Sequence, residues 1–174
     1  MIELMLVLAI MAGLLTLALP SFNGYLERNR LKAAAEGLSS DLHYARSESL
    51  LRGSGSEMTV SFTTDGSNTW CYGMTTAASC DCTVSDPNSP SACLVEVAGE
   101  DVLRVVESDD FQGTVNMPTV TLPSNEANFT GIRALVDSGI ISLQANNQQV
   151  DVNLTAVGRV RICSDAKILG YPSC

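Results

Sequence analysis

The sequence predicts an α+β protein in which one long N-terminal helix packs on a small, mostly antiparallel β-sheet. Three observations predict this class. Residues 4–26 carry no charge and lead into a segment with helical spacing of its apolar residues. Beyond Gly55 the apolar residues alternate with polar ones, as in half-buried strands. The 174 residues have room for one domain and one long extra element.

The charge-free run LMLVLAIMAGLLTLALPSFNGYL is predicted to be a transmembrane segment. Its 23 residues, 4–26, form a helix long enough to cross about 30 Å of hydrocarbon. Glu3 precedes it and the helical pattern continues after it, unlike the pattern of a cleaved signal peptide. We therefore expect residues 1–26 to be the transmembrane half of the helix. Residues 27–174 then form a globular domain that includes its amphipathic half.

The second half of the helix is expected to end near residue 52, because Gly53 and Gly55 follow. Small and apolar residues recur there at spacings of three and four, which predicts one face packed on a partner. These residues are Leu31, Ala35, Leu38, Leu42, Ala45 and Ser49.

The remaining chain is predicted to be strands and one stapled loop. A hairpin is expected from residues 58–62 and a second strand beginning at Trp70, joined by the turn TDGSN. The segment of residues 75–93, small, polar and rich in cysteine, is predicted to be a surface loop. Further strands are predicted over residues 102–107, 115–122, 139–145 and 149–163, with Gly158 a bulge or turn in the last.

The cysteines indicate disulfides in an oxidising compartment. Their number is even and all follow the apolar run, so we place the body outside the cytoplasm. The basic residues after the run would by themselves favour the opposite orientation. The spacing lacks the paired C-x2-C of zinc sites, so no metal or other cofactor is expected. The cysteines are Cys71, Cys80, Cys82, Cys93, Cys163 and Cys174.

The pairing can be predicted only in part. Cys163 and Cys174 are expected to bond each other and close a small C-terminal loop. Cys80 and Cys82 are too close to pair comfortably, so each should bond Cys71 or Cys93, in an order that the sequence leaves open.

The C-terminal stretch GRVRICS is basic within an acidic chain. The net charge is −9, and residues 61–155 carry twelve acids against two bases, whereas residues 156–174 carry three bases and one acid. On a strand, Arg159 and Arg161 would project from one face about 6.6 Å apart and could contact successive phosphates, with Lys167 nearby. The alternative is that exposed arginines protect an edge strand and pair with Asp151 or Asp165.

Several stretches of the sequence carry a resemblance to known proteins. They are IELMLVLAIMAGLLTLALPSF, LERNRLKAAAEGLSSDLHYARSESLLRG, WCYG with the following CDC, and the terminal GRVRICS and GYPSC. Together they resemble the GspH/FimT group of type IV pilins and pseudopilins. The resemblance implies a type IV pilin-like fold and assembly into a filament with other pilin subunits. It implies that Glu3 pairs with the N-terminal amine of a neighbouring subunit. Before assembly, the resemblance implies a single-pass protein of the bacterial inner membrane with a periplasmic body. After assembly, it implies a location in an extracellular pilus.

The GRVR sequence is similar to the GRxR motif of FimT-type minor pilins. The resemblance implies weak, sequence-independent contact with double-stranded DNA through Arg159, Arg161 and Lys167 during natural transformation. Two alternatives stay open, a purely structural or priming pilin and a GspH-like pseudopilin of type II secretion. No enzyme is expected, because the single histidine, His43, lies on the helix and no nucleophile motif or phosphate loop is present.

Overall fold

A computed structural model of the chain describes residues 2–53, 57–130, 133–164 and 170–174, without the side chains of residues 2, 8, 9, 12 and 14–23 in the first helix. Helix α1, Ile2–Arg52, is one continuous element and ends at the predicted residue. Among the residues described, no helix has an apolar stretch of the length that a membrane crossing requires. The side chains of residues 14–23, which belong to the segment predicted to cross the membrane, lie outside the described part of the chain.

The described residues also form ten strands and two short 3-10 turns. The strands are β1 Met58–Thr64, β2 Trp70–Thr75, β3 Leu94–Val97, β4 Glu100–Leu103, β5 Val105–Glu107, β6 Asn116–Val120, β7 Glu126–Phe129, β8 Gly139–Ala145, β9 Gln148–Leu154 and β10 Val160–Cys163.

The strands form two four-stranded antiparallel sheets and a hairpin. The first sheet has the order β5-β2-β1-β7, the second sheet has the order β10-β9-β8-β6, and β3 pairs with β4 alone. Two side-chain bonds join the sheets, since Trp70 Nε1 donates to the Val115 carbonyl at 2.7 Å and Thr64 Oγ1 donates to the Met117 carbonyl at 2.7 Å. An α+β arrangement of one long helix on antiparallel sheets is therefore confirmed.

The second half of α1 packs against both sheets along the predicted stripe, whose six residues are all fully buried. At the end of the helix, the Ser49 hydroxyl donates to the Phe129 carbonyl of β7 at 3.0 Å. A buried leucine stabilises the fold by about 1.5–3 kcal/mol, so the three leucines of the stripe form a main contact between helix and sheets.

Two predicted strands are each divided in the structure. The segment predicted as residues 102–107 breaks at Arg104 into β4 and β5, because Arg104 bonds Cys93 and Met74 through its backbone where the chain crosses into the first sheet. The segment predicted as residues 149–163 is an antiparallel hairpin of β9 and β10. Gly158 lies in its turn with φ +70, a conformation that favours glycine. Strand β3 was not predicted.

The hairpin turns lie at opposite ends of the domain along α1. The turn between β8 and β9 contacts the helix through a hydrogen bond from Asn146 Nδ2 to Glu27 Oε2. The turn of residues 155–159 contacts the helix at Arg46. Since 19 residues separate Glu27 from Arg46, the two turns lie about 28 Å apart along the helix axis. We call residues 155–159 the distal turn, because they lie far from the N-terminal half of α1.

Candidate functional site

The distal turn is held by its own hydrogen bonds, so it presents Arg159 in a defined place. The Gly158 N–H donates to the Thr155 carbonyl at 2.7 Å, and the Thr155 N–H donates to the Arg159 carbonyl at 3.0 Å. The Thr155 hydroxyl oxygen in turn accepts from the Arg159 N–H at 3.1 Å. Thr155 therefore closes the turn from both its backbone and its side chain.

Arg159 and Arg161 are both exposed, but only Arg161 lies on a strand. Arg159 precedes β10, so the strand spacing expected between the two side chains does not apply to this pair. Val160 between them is buried, and Ile162 packs partly against the core. The two guanidiniums therefore belong to one turn and the edge strand that leaves it.

Neither arginine forms an ion pair with a carboxylate in the described ranges. Asp151, one proposed partner, instead accepts a hydrogen bond from Gln149 Nε2 at 2.9 Å, and its Oδ2 lies 3.7 Å from the disulfide-bonded Cys174 Sγ. Asp165, the other, and Lys167, the third predicted cation, both lie outside the described residues. The structural alternative of a surface ion pair therefore has no support from Asp151.

Arg46 of α1 lies against the distal turn, which sequence reasoning did not find. A side chain added at Gly158 would have its Cβ 3.0 Å from Arg46 Cδ and Nε and 3.0 Å from the Ala134 carbonyl oxygen. The glycine therefore allows the arginine stem to lie directly on the turn. The one sequence signal was Gly158 itself, since a glycine within a strand pattern marks a close approach.

The six cysteines form three disulfides, one of which involves β10. Cys163 bonds Cys174, the pair predicted, and the bond joins β10 to the C-terminal residues. The order left open by the sequence is Cys71 with Cys82 and Cys80 with Cys93. These four lie together beside Val105, and Gly73 allows their approach, since a Cβ there would be 2.3 Å from Cys93 Sγ. No group of metal-binding side chains occurs among the described residues.

The C-terminal loop is also held to α1 by a tyrosine. The Tyr171 hydroxyl donates to Glu36 Oε1 at 3.1 Å, and the Ser164 N–H donates to the Pro172 carbonyl at 2.9 Å. Burial, followed by the Glu36 carboxylate, raises the pKa of Tyr171 to about 12. In the core, burial, followed by Asp41, raises the pKa of Tyr72, whose hydroxyl donates to Asp41 at 2.9 Å.

Glu3 lies far from this region, in the first turn of α1, and its side chain is exposed. The four residues that follow are also exposed, although all are apolar, with Leu4 at 67% and Met5 at 74%. About 65 Å of helix separates Glu3 from Arg46. The structure therefore does not bring the predicted assembly residue and the predicted DNA-binding residues together. His43 is exposed on α1.

The chain is similar to a known protein family and to a solved structure. The family model described as type II transport protein GspH matches residues 34–166. The type IV minor pilin FimU of Pseudomonas aeruginosa strain PAO1 has a similar structure, with a TM-score of 0.49 and 18% sequence identity. That likeness covers 79% of this chain and 91% of the FimU chain. No curated protein matches the chain.

Proposed function

The chain belongs to the GspH family, of the type IV pilin and pseudopilin class, and from this premise we propose that it is a minor pilin. It assembles through the N-terminal half of α1 and contacts double-stranded DNA through the distal turn and β10. The observation that carries the DNA role is the pair of exposed arginines, without a described acidic partner, on a chain of net charge −9.

The assembly role depends on the start of α1. The exposed apolar side chains of Leu4, Met5 and their neighbours form a surface that favours contact with lipid or with other apolar helices. A lone carboxylate in such surroundings is costly, and a cation from a neighbouring subunit relieves that cost. Glu3 is therefore the assembly residue, which pairs with the N-terminal amine of the next subunit. The protein then resides in the inner membrane before assembly and in an extracellular pilus afterwards.

Glu3→Ala tests the assembly role directly. We expect the variant to be absent from sheared filaments while its disulfides and thermal unfolding match those of the wild type. Glu3→Asp, which keeps the charge, is the matched control and should be incorporated better than Glu3→Ala. Incorporation of Glu3→Ala at the wild-type level would remove the role of Glu3.

The DNA role depends on the position and charge of the distal turn. Because the turn lies at the end of the domain opposite the N-terminal half-helix, it stays accessible when the helices of several subunits pack together. The surrounding acidic surface repels a polyanion elsewhere, so nucleic acid is directed to this end. Two guanidiniums there contact phosphate oxygens without reading bases, which gives sequence-independent binding.

A gel-shift experiment with the full chain in an uncharged detergent tests the DNA role. Each phosphate contact contributes about 0.9 to the slope of log affinity against log salt. Arg159→Gln with Arg161→Gln should therefore lower the slope by about 1.8 and weaken binding. The matched control is Arg28→Gln with Lys32→Gln, which removes two positive charges at the other end of the domain. Equal slopes for the two double variants would contradict the role of the distal turn.

The second function is a pseudopilin of type II secretion, which needs no DNA contact. The description of the matching family, type II transport protein, favours it. This function predicts that Glu3→Ala prevents assembly while the wild-type chain shows no salt-dependent binding to DNA. The two experiments above therefore distinguish the two functions.

A further inference from the structure

Four arginines belong to the distal turn or to the parts of the chain next to it. Arg46 comes from α1, Arg133 from the segment before β8, and Arg159 and Arg161 from the turn and β10. In the sequence, Arg46 and Arg133 are more than 80 positions apart, and the motif GRVR contains neither. The fold brings them to the same end of the domain.

Arg46 lies within contact distance of the backbone that carries Arg159. Its Cδ and Nε are each 3.0 Å from the position that a Gly158 Cβ would take, and Arg159 is the next residue. The Arg46 Nε is buried, and no described residue accepts a hydrogen bond from it. Nor does any described carboxylate form an ion pair with Arg46. A half-buried guanidinium without an anion is unfavourable in the isolated subunit, and a bound phosphate supplies that anion.

Arg133 is brought to the same place by its neighbours. The Ala134 carbonyl is 3.0 Å from the Gly158 Cβ position, and the Val136 N–H donates to the Ala156 carbonyl at 3.2 Å. Ala134 is fully buried and has φ +46, an unfavourable backbone conformation for alanine. The antiparallel bridge between Thr130 and Leu135 fixes the position of Leu135, and the Val136 bond to Ala156 ties this segment to the distal turn. Arg133 is exposed next to it.

The charges of the chain also distinguish Arg133. Residues 61–155 contain two basic residues, Arg104 and Arg133. The Arg104 guanidinium lies over the ring of Tyr44, 5.5 Å from its centroid, so it is held against the helix. Arg133 has no ion pair with a described residue, and the nearest acid in the sequence, Asp137, is four positions away and exposed. Within the acidic stretch, Arg133 is thus the base that lies beside the distal turn.

We propose that Arg46 and Arg133 belong to the nucleic-acid surface, so that phosphates are bound by a cluster of arginines from three elements and not by the GRVR motif alone. The proposal depends on the proposed DNA role and extends it. The ligand is the sugar-phosphate backbone of duplex DNA, because guanidiniums spread over several elements match a row of phosphates. Gly158 has a direct part in this surface, since it allows Arg46 to lie against the turn.

The wild-type salt dependence distinguishes the two descriptions of the surface. If only Arg159, Arg161 and Lys167 contact phosphates, affinity falls by at most about 40-fold between 50 and 200 mM salt. With Arg46 and Arg133 added, the five contacts give a fall of about 500-fold. The probe is a 30-base-pair duplex of mixed sequence, measured with the full chain in an uncharged detergent.

Single variants then assign the contacts. Arg46→Gln and Arg133→Gln should each reduce the slope by about 0.9, which reduces the fall in affinity between 50 and 200 mM salt by about 3.5-fold. Arg28→Gln, with the same charge change at the other end of the domain, should leave the slope within error. Arg46→Lys should restore the slope because it restores the charge. If Arg46→Lys behaves like Arg46→Gln, the side chain only supports the turn and the inference is wrong.

The failure of this inference is distinct from the failure of the proposed function. In one outcome, the wild type binds DNA and the salt dependence of binding falls only in the double variant Arg159→Gln with Arg161→Gln. In that case the GRVR motif acts alone and the inference is overturned. If the wild type shows no salt-dependent binding, the DNA role itself is wrong and the inference with it. Slopes lowered in Arg46→Gln and Arg133→Gln but not in Arg28→Gln support the arginine cluster.

Discussion

The disulfide between Cys163 and Cys174 allows a stability prediction that isolates one physical effect. Cys174 is exposed, so Cys174→Ser opens the cross-link without leaving a cavity and keeps the buried sulfur of Cys163 in place. The bond joins residues 11 positions apart. For a loop of this size the lost restriction of the unfolded chain amounts to about 2.8 kcal/mol at 25 °C.

The expected result is a lower melting temperature. For a domain of this size, about 1 kcal/mol corresponds to about 2–4 °C, so Cys174→Ser should melt about 6–11 °C below the wild type. The assay is thermal unfolding followed by circular dichroism in an uncharged detergent, after mass spectrometry has shown that the other two disulfides are intact. A fall of less than about 2 °C would refute the chain-entropy argument, because that effect does not depend on contacts within the folded loop.

Three further predictions concern single contacts. Gly158→Ala should destabilise the protein by about 1–2 kcal/mol in urea unfolding, because alanine is strained at φ +70 and its Cβ would press on the Ala134 carbonyl; a more stable variant would contradict this packing. Gly73→Ala should lower the free energy of unfolding by more, about 3 kcal/mol, because its Cβ would overlap the Cys93 sulfur, which the disulfide holds in place. It should also leave thiols that react with maleimide, and a variant with no reactive thiols would refute the close approach. Folding raises the pKa of Tyr171 from 10.0 to about 12, so its contribution to stability is present below pH 10 and is lost as the pH rises toward 12. The phenol transition that Tyr171→Phe removes from the ultraviolet titration should therefore lie near pH 12, and a lost transition near pH 10 would contradict the burial and the Glu36 contact.

The helix could be predicted from the sequence because its signal is long and repeated. Six small or apolar residues recur over five turns, and Gly53 follows, so both the buried face and the C-terminal end are indicated locally. The same holds for the first hairpin, where the turn sequence TDGSN separates two alternating segments. Such features depend on neighbours in the sequence, which the sequence shows directly.

The two divided strands show where local patterns fail. The apolar residues of the strand pattern continue through the distal turn. One of them, Val157, lies in the turn itself and is 59% exposed. An alternating pattern therefore ran across a reversal of the chain, and Gly158 was its one visible mark. At Arg104 the apolar residues continue on both sides, and the break results from backbone bonds to Cys93 and Met74, which the pattern does not contain.

The remaining features depend on tertiary structure. The order of the Cys71, Cys80, Cys82 and Cys93 pairs depends on how the loop folds over β2, which spacing alone does not determine. The contact of Arg46 with Gly158 joins residues 112 positions apart in the numbering. Part of the arginine cluster was therefore visible as the GRVR motif, and the rest required the fold.

The hairpin of β9 and β10 determines how the domain would respond to a pulling force at its far end. Both strands meet at Gly158, so tension applied there along the strand direction loads both strands at once. Strand β9 is paired with β8 along all of its seven residues, from Gln148 to Leu154. Their hydrogen bonds would be sheared together and not opened one after another, so a polymer gripped at this turn could be pulled without unravelling the sheet from its edge.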